Sequence, residues 1–125
     1  MEAKELRIGN LVYRTNKLTK EKLTLELTAS CILDIACNGV MSSYIYAPIP
    51  LTEEWLEKLG FEKLKNSNEW YFITIHGFEL SIHASGYEIC FGSGQTFLKG
   101  YFRHVHQLKN LYFALTGEEL LIKQP

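Results

Sequence analysis

The feature that most constrains this chain is a run of alternating residues between positions 69 and 91, cut by two short turn signals. Phe78, Leu80, Ile82 and Ala84 alternate with Glu79, Ser81 and His83, and His76-Gly77 and Ser85-Gly86 punctuate the run. Period-two alternation marks a strand with one buried face, and a two-residue connection containing glycine joins antiparallel neighbours. The segment reads as a β-meander of Glu69 to Ile75, Phe78 to Ala84 and Tyr87 to Phe91. A Gly92-Ser93-Gly94 loop then leads to a fourth strand, Thr96 to Arg103. Two-residue turns fix the register. Trp70 lies opposite His83, Phe72 opposite Ser81 and Thr74 opposite Glu79; across the second hairpin His83 meets Glu88 and Ser81 meets Cys90. One face then carries Tyr71, Ile73, Ile75, Leu80, Ile82 and Ile89, a core face. The other carries Trp70, Phe72, Ser81, His83, Glu88 and Cys90.

Helices flank this meander. Thr52 is a good N-cap, Glu53 and Glu54 suit the positive first turn, Leu51 and Leu56 form a hydrophobic staple, and Gly60 stops the helix. Trp55, Leu56 and Leu59 turn inward, leaving Glu53, Glu54, Glu57 and Lys58 outside. A last helix, about His106 to Thr116, is stopped by Gly117 and carries Val105, Leu108, Leu111, Tyr112 and Leu115 as one stripe. Leu120 to Ile122 reads as an edge strand.

The N-terminal part reads as strands: Leu6 to Tyr13 interrupted by Gly9-Asn10, then a polar loop or hairpin from Arg14 to Lys22. Leu23, Leu25 and Leu27 alternate with polar residues, Cys31 to Ala36 is a denser apolar strand closed by Asn38-Gly39, and Val40 to Ala47 completes the set. Short strands behind an Ile8-Gly9-Asn10-Leu11-Val12 opening resemble small SH3-like or Tudor-like barrels. Ala47-Pro48-Ile49-Pro50 enforces extended backbone between this part and the first helix. The whole reads as an α+β fold in one domain over 1–125, with sub-lobes at 1–47 and 48–125 and the last helix packed on the sheet.

A chain of 125 residues buries roughly two-thirds of its unfolded surface, enough for a core without staples. With 46% hydrophobic and 22% charged residues, disorder is excluded as a class. Cys31, Cys37 and Cys90 are odd in number and show no C-x-x-C spacing, as expected of reduced thiols. Met1 to Asn10 alternates in charge around no apolar centre, so no signal peptide is expected, and no run reaches the ~18 apolar residues of a membrane span. The reading is cytoplasmic. Charge is uneven: residues 1–22 carry +3, 23–88 carry −6 and 89–125 carry +2. No acidic residue falls between Glu88 and Glu118, a gap that contains Lys99, Arg103 and Lys109.

Two surfaces are candidates for binding. On the sheet, Trp70 and Phe72 either pack beneath the N-terminal part, beside a His83–Glu88 ion pair, or form an open platform for a peptide or for bases. Ser81 or Cys90 with His83 and Glu88 could also be read as nucleophile, base and orienter, though rigid mid-strand positions suit that chemistry poorly. On the last helix, His106, Lys109, Asn110 and Phe113 lie opposite the apolar stripe, where Phe113 is either covered or offered to a partner; Lys99 and Arg103 extend this into an aromatic-basic patch. His104 and His106 at a helix start would point about 200° apart, and no third ligand is near, so no metal site is expected. His106 is expected to bond locally. Gly92-Ser93-Gly94-Gln95 precedes a strand rather than a helix and is no phosphate cradle.

Three stretches also carry a resemblance: ELRIGNLVY at 5–13, PIPLTEEWLEKLGF at 48–61 and HQLKNLYFALTGEEL at 106–120. Together they resemble a family of small uncharacterised proteins encoded by gut Bacteroidales bacteria and their phages or prophages. That family's phrase has glutamine where this chain has Lys109. The resemblance implies a cytoplasmic, mobile-element-associated origin and carries no activity, so it assigns no residue a role. The reading is therefore a non-enzymatic protein-interaction module without cofactor, with single-stranded nucleic-acid binding through 89–117 and a small hydrolase as alternatives. Oligomeric state stays open.

Overall fold

Alternation and turn chemistry give the central sheet the register that they require. The computed structural model of the protein describes residues 1–65, 69–84, 88–91, 96–99 and 102–123; the side chains at 78, 88, 91 and 96–99 lie outside that description. One antiparallel sheet contains β1 (Leu11–Asn16), β2 (Lys22–Glu26) and β3 (Tyr44–Pro48) in the order β2-β1-β3. The second contains β4 (Glu62–Lys63), β5 (Trp70–Ile75), β6 (Phe78–His83), β7 (Glu88–Phe91) and β8 (Thr96–Lys99), in sequence order. Three α-helices, α1 (Ala29–Cys37), α2 (Glu53–Lys58) and α3 (Val105–Thr116), complete an α+β fold.

Trp70 pairs with His83, Phe72 with Ser81, Thr74 with Glu79 and Ser81 with Cys90, as the turn lengths require. His76 and Gly77 both take positive φ (46° and 85°), which matches the twist of a two-residue hairpin. The Ser85-Gly86 turn and the Gly92–Gln95 loop lie outside the described residues. Tyr71, Ile75, Leu80, Ile82 and Ile89 are buried on the core face, and Trp55 and Leu56 of α2, its C-cap Leu59, and Val105 and Leu108 of α3 belong to the same core. Leu11 and Ile49 join the same core from the N-terminal side. Thr52 caps α2 by accepting from Trp55 N at 3.3 Å.

The proline-rich connection is a structural strap. Pro48 and Pro50 have no N–H to donate, so the carbonyl of Ile49 and the N–H of Leu51 make the pairing. Val105 N donates to Ile49 O (2.9 Å) and Leu51 N to Arg103 O (2.7 Å), with Pro50 opposite His104. The start of α3 is thereby fixed against the exit of β3.

Four expectations need correction. Cys31 to Ala36 is helical: Thr28 caps α1 by accepting from Cys31 N at 3.4 Å, and Cys31, Ile32 and Ile35 pack on Val12 and Leu27. Their i, i+1, i+4 spacing is a helix face, which a short apolar run conceals when judged on density alone. Gly39–Met41 forms a 3-10 turn, so the following strand begins only at Tyr44. With α1 inserted between β2 and β3, and those two strands at opposite edges, the described N-terminal residues form an open three-stranded sheet rather than the barrel that the opening phrase resembles. Leu120 to Ile122 is no strand; the chain there runs past α2, where Lys123 N donates to Lys58 O (2.6 Å).

Candidate functional site

The polar face of α3 is placed by its N-terminal cap. Gln107 Oε1 accepts from Arg103 N (2.9 Å) and His104 N (3.0 Å), reaching back over the helix start. His104 is the N-cap with extended dihedrals, not a helical residue, so its ring stacks on His106 (centroids 5.7 Å apart, planes 10° apart) instead of pointing away from it. At the other end Gly117 takes φ +72°, a left-handed stop that glycine adopts without strain.

This helix face meets the N-terminal segment, and His106 and Lys109 are 1% and 3% exposed. Asn110 is the hub: its Oδ1 accepts from Arg7 Nε (3.1 Å) and Asn10 Nδ2 (2.8 Å), and its Nδ2 donates to Glu5 O (2.9 Å). Arg7 also pairs with Glu119 and lies 4.1 Å over the Phe113 ring. Lys109 Nζ donates to Leu120 O (2.5 Å) and stands 3.8 Å from Glu119 Oε2. Gly9 has φ +96°, a conformation that L side chains rarely adopt, and a Cβ there would come within 3.3 Å of Glu119 Oε1, so glycine suits the close approach of this segment to Glu119. Burial holds the Lys109 ammonium below its ordinary range, against the opposing pull of Glu119. Burial, reinforced by His104, likewise pushes the His106 imidazole down, against Glu5. Neither His106 ring nitrogen has a hydrogen-bond partner, and the nearest carboxylate, Glu5, is 3.9 Å away, so the local bond expected of this histidine is not made.

The helix face expected to reach a partner is thus turned inward at His106 and Lys109, with Asn110 half-buried and Phe113 at the rim beneath Arg7. Arg103 is exposed, while the Lys99 side chain is outside the described residues; Lys109 contributes nothing to a basic surface stripe.

On the sheet, Trp70 and Phe72 are half-buried and Ser81 and Cys90 buried. His83 pairs through Nε2 with Glu69 (3.1 Å) and meets the edge of Trp70 at 5.2 Å, while Ser81 Oγ donates to Glu79 (3.2 Å). The expected partner Glu88 has its side chain outside the described residues. No group of three His, Cys, Asp or Glu side chains among the described residues is placed to hold a metal ion.

Compared with known proteins, the chain matches no family model, no curated protein and no solved structure. Among the described residues no helix is long and apolar enough to cross a membrane.

The surface that stands out physically was not singled out by its sequence. Between α1 and β3, Val40 and Met41 are 90% and 84% exposed, with Ile45 at 53% and Leu18 on the β1–β2 connection at 90%. Lys17 ties the two loops together, donating from N to Ser43 O (3.0 Å) and from Nζ to Val40 O (2.7 Å). Beneath them Asp34 accepts from Asn38 Nδ2 (2.6 Å), Ser42 Oγ (2.5 Å) and Tyr46 Oη (3.1 Å). Those bonds, Ser42 first, hold the Asp34 carboxyl below its usual range; burial and Asp34 push the Tyr46 phenol up to about 12. Four polar groups therefore pin the underside of a turn whose upper side is aliphatic. A groove of about 440 Å³ beside it is lined by Ile35, Val40, Ile45, Tyr46 and Lys17. The sequence signal for this turn was Asn38-Gly39 before and Ser42-Ser43 after a Val-Met pair, a turn pattern that strand alternation had masked.

Proposed function

We propose that the protein is a non-enzymatic interaction module that docks another protein on the apolar end of its N-terminal sheet, formed by Leu18, Val40, Met41 and Ile45. One observation carries this reading: Val40 and Met41 stand almost fully in water on a turn that Asp34, Asn38, Ser42 and Tyr46 hold in one geometry. Scattered exposed aliphatic residues are ordinary, but a pre-organised group of them lowers the ordering cost of association. The resemblance of its opening, middle and C-terminal phrases to a Bacteroidales and phage family supports a cytoplasmic accessory role in mobile-element biology. Single-stranded nucleic acid is the competing partner, and the inward placement of Lys109 weakens that reading by removing a cation from the 89–117 stripe. The test is capture from a nuclease-treated lysate of the source organism by the wild type and by V40D/M41D. A discrete protein kept by the first and lost by the second, with unchanged circular dichroism, is the expected result. Retention by both proteins, or of nucleic acid alone before nuclease, would be incompatible with the reading.

A further inference from the structure

We infer that the groove beside this apolar end takes a short acidic segment of its partner, one that seats a large apolar side chain on Ile35, Val40, Ile45 and Tyr46 and presents a carboxylate to Lys17. The inference rests on the docking reading above and adds the chemistry of the occupant.

The shape of the groove suits an inserted side chain. The groove is floored by residues already fixed by the fold: Ile35 and Tyr46 pack against the small core of Val12, Leu27 and Cys31, while Val40 and Ile45 form exposed walls. A concave apolar site with rigid walls suits an inserted side chain better than it suits a flat surface.

The charge of the groove suits a carboxylate. Lys17 is the charged side chain lining the groove. Its ammonium has three donors, and one is spent on Val40 O. No carboxylate among the described residues lies within ion-pair distance of Lys17. The nearby acid, Asp34, is engaged by Asn38, Ser42 and Tyr46 below the turn; it feels the Lys17 charge and offsets part of it, but makes no ion-pair contact with the ammonium. Arg14, stacked 4.1 Å over Tyr44, lines a separate pocket with Glu21 and leaves Lys17 as the cation of this groove. A carboxylate arriving from a partner would therefore meet two unspent ammonium donors beside an apolar pocket. A basic segment would meet like charge.

The experiment is to pan a displayed library of random decapeptides on the intact protein, with V40D/M41D as counter-selection. Enriched sequences should carry a large aliphatic or aromatic residue beside aspartate or glutamate. A synthetic peptide of that sequence should bind about thirtyfold more weakly to V40D/M41D, the scale of a lost apolar anchor. Lys17→Glu should cost about fivefold, as a rim charge pair does, and should reverse the preference toward the same peptide with lysine in place of its acid. Enrichment without acids, with binding indifferent to Lys17→Glu, would overturn the acidic occupant and leave the docking reading standing. Binding that V40D/M41D does not weaken would overturn both. Wild-type sedimentation with phosphatidylserine vesicles, lost in V40D/M41D and accompanied by no enriched peptide, would assign the end to a lipid surface and also overturn both. No enrichment and no sedimentation would overturn the acidic segment outright.

Discussion

Two regions of this molecule invert the usual placement of side chains. Where α3 meets the N-terminal segment, Arg7, Asn10, Lys109, Asn110 and Glu119 are drawn together under cover. At the other end of the same N-terminal sheet, Leu18, Val40 and Met41 stand in water. Burial in this molecule follows from where the chain closes on itself, not from residue type alone. Around Asn110 the covered polar groups satisfy one another, while the His106 ring is buried without a hydrogen bond; the exposed apolar residues sit on a turn that a polar scaffold beneath them holds.

The comparison breaks most readily at the closed region. Glu119→Leu removes the carboxylate shared by Arg7 and Lys109 and leaves a buried ammonium without counter-charge. Chemical denaturation should show a loss of about 3 kcal/mol. Asn110→Ala deletes the hub and strands donors of Arg7 and Asn10, with an expected loss of about 2 kcal/mol in the same assay. If either variant unfolds at the wild-type midpoint, the junction is not closed as described.

Acid titration sharpens the contrast without a large substitution. The His106 imidazole is held below its ordinary range in the folded protein, so the unfolded chain takes up its proton first as pH falls. The stability tied to His106 is complete above the unfolded value of about 6.5, and it is lost progressively as pH drops from there toward the depressed folded value. Glu5 and His104 face the ring; Glu5 limits the loss by favouring the charged form, and His104 adds to it. Measured between pH 7.5 and 5, His106→Phe should flatten this slope.

The smallest effects separate the two regions most clearly. Lys109→Met takes the donor from Leu120 O but leaves Glu119 its Arg7, so its cost should be about 1 kcal/mol, well below that of Glu119→Leu. V40D/M41D should lie within about 0.5 kcal/mol, since exposed positions contribute little to folding, while its partner binding disappears. A large stability loss in V40D/M41D would mean that those side chains are packed rather than offered.

Much of the fold was legible for local reasons. Turn length dictated the β5–β6–β7 register, and Thr52 and Gly60 bounded α2, because such signals act between residues close in sequence. The misreadings have long-range causes. Asn10 meets Asn110 and Arg7 meets Glu119 only through the closure of the whole chain, so the back of α3 looked like a wet face. Cys31 to Ala36, five apolar residues around Asp34, fits a strand as readily as a helix, and reading it as a strand places Val40 and Met41 in a following strand that does not include them. The helix was hinted at by Thr28 as a cap, but its consequence, a turn pinned by Asp34, depended on Tyr46 arriving from β3.

The polar helix face is interior at His106 and Lys109, and the aliphatic turn is exterior. Hydroxyl-radical footprinting of the native protein, read by mass spectrometry and normalised to each residue's intrinsic reactivity, tests both halves at once. Leu18, Val40 and Met41 should be modified near their free rates, with His106 and Lys109 protected until the protein is denatured. Protection at Val40 and Met41 together with native-state modification of His106 or Lys109 would contradict this placement.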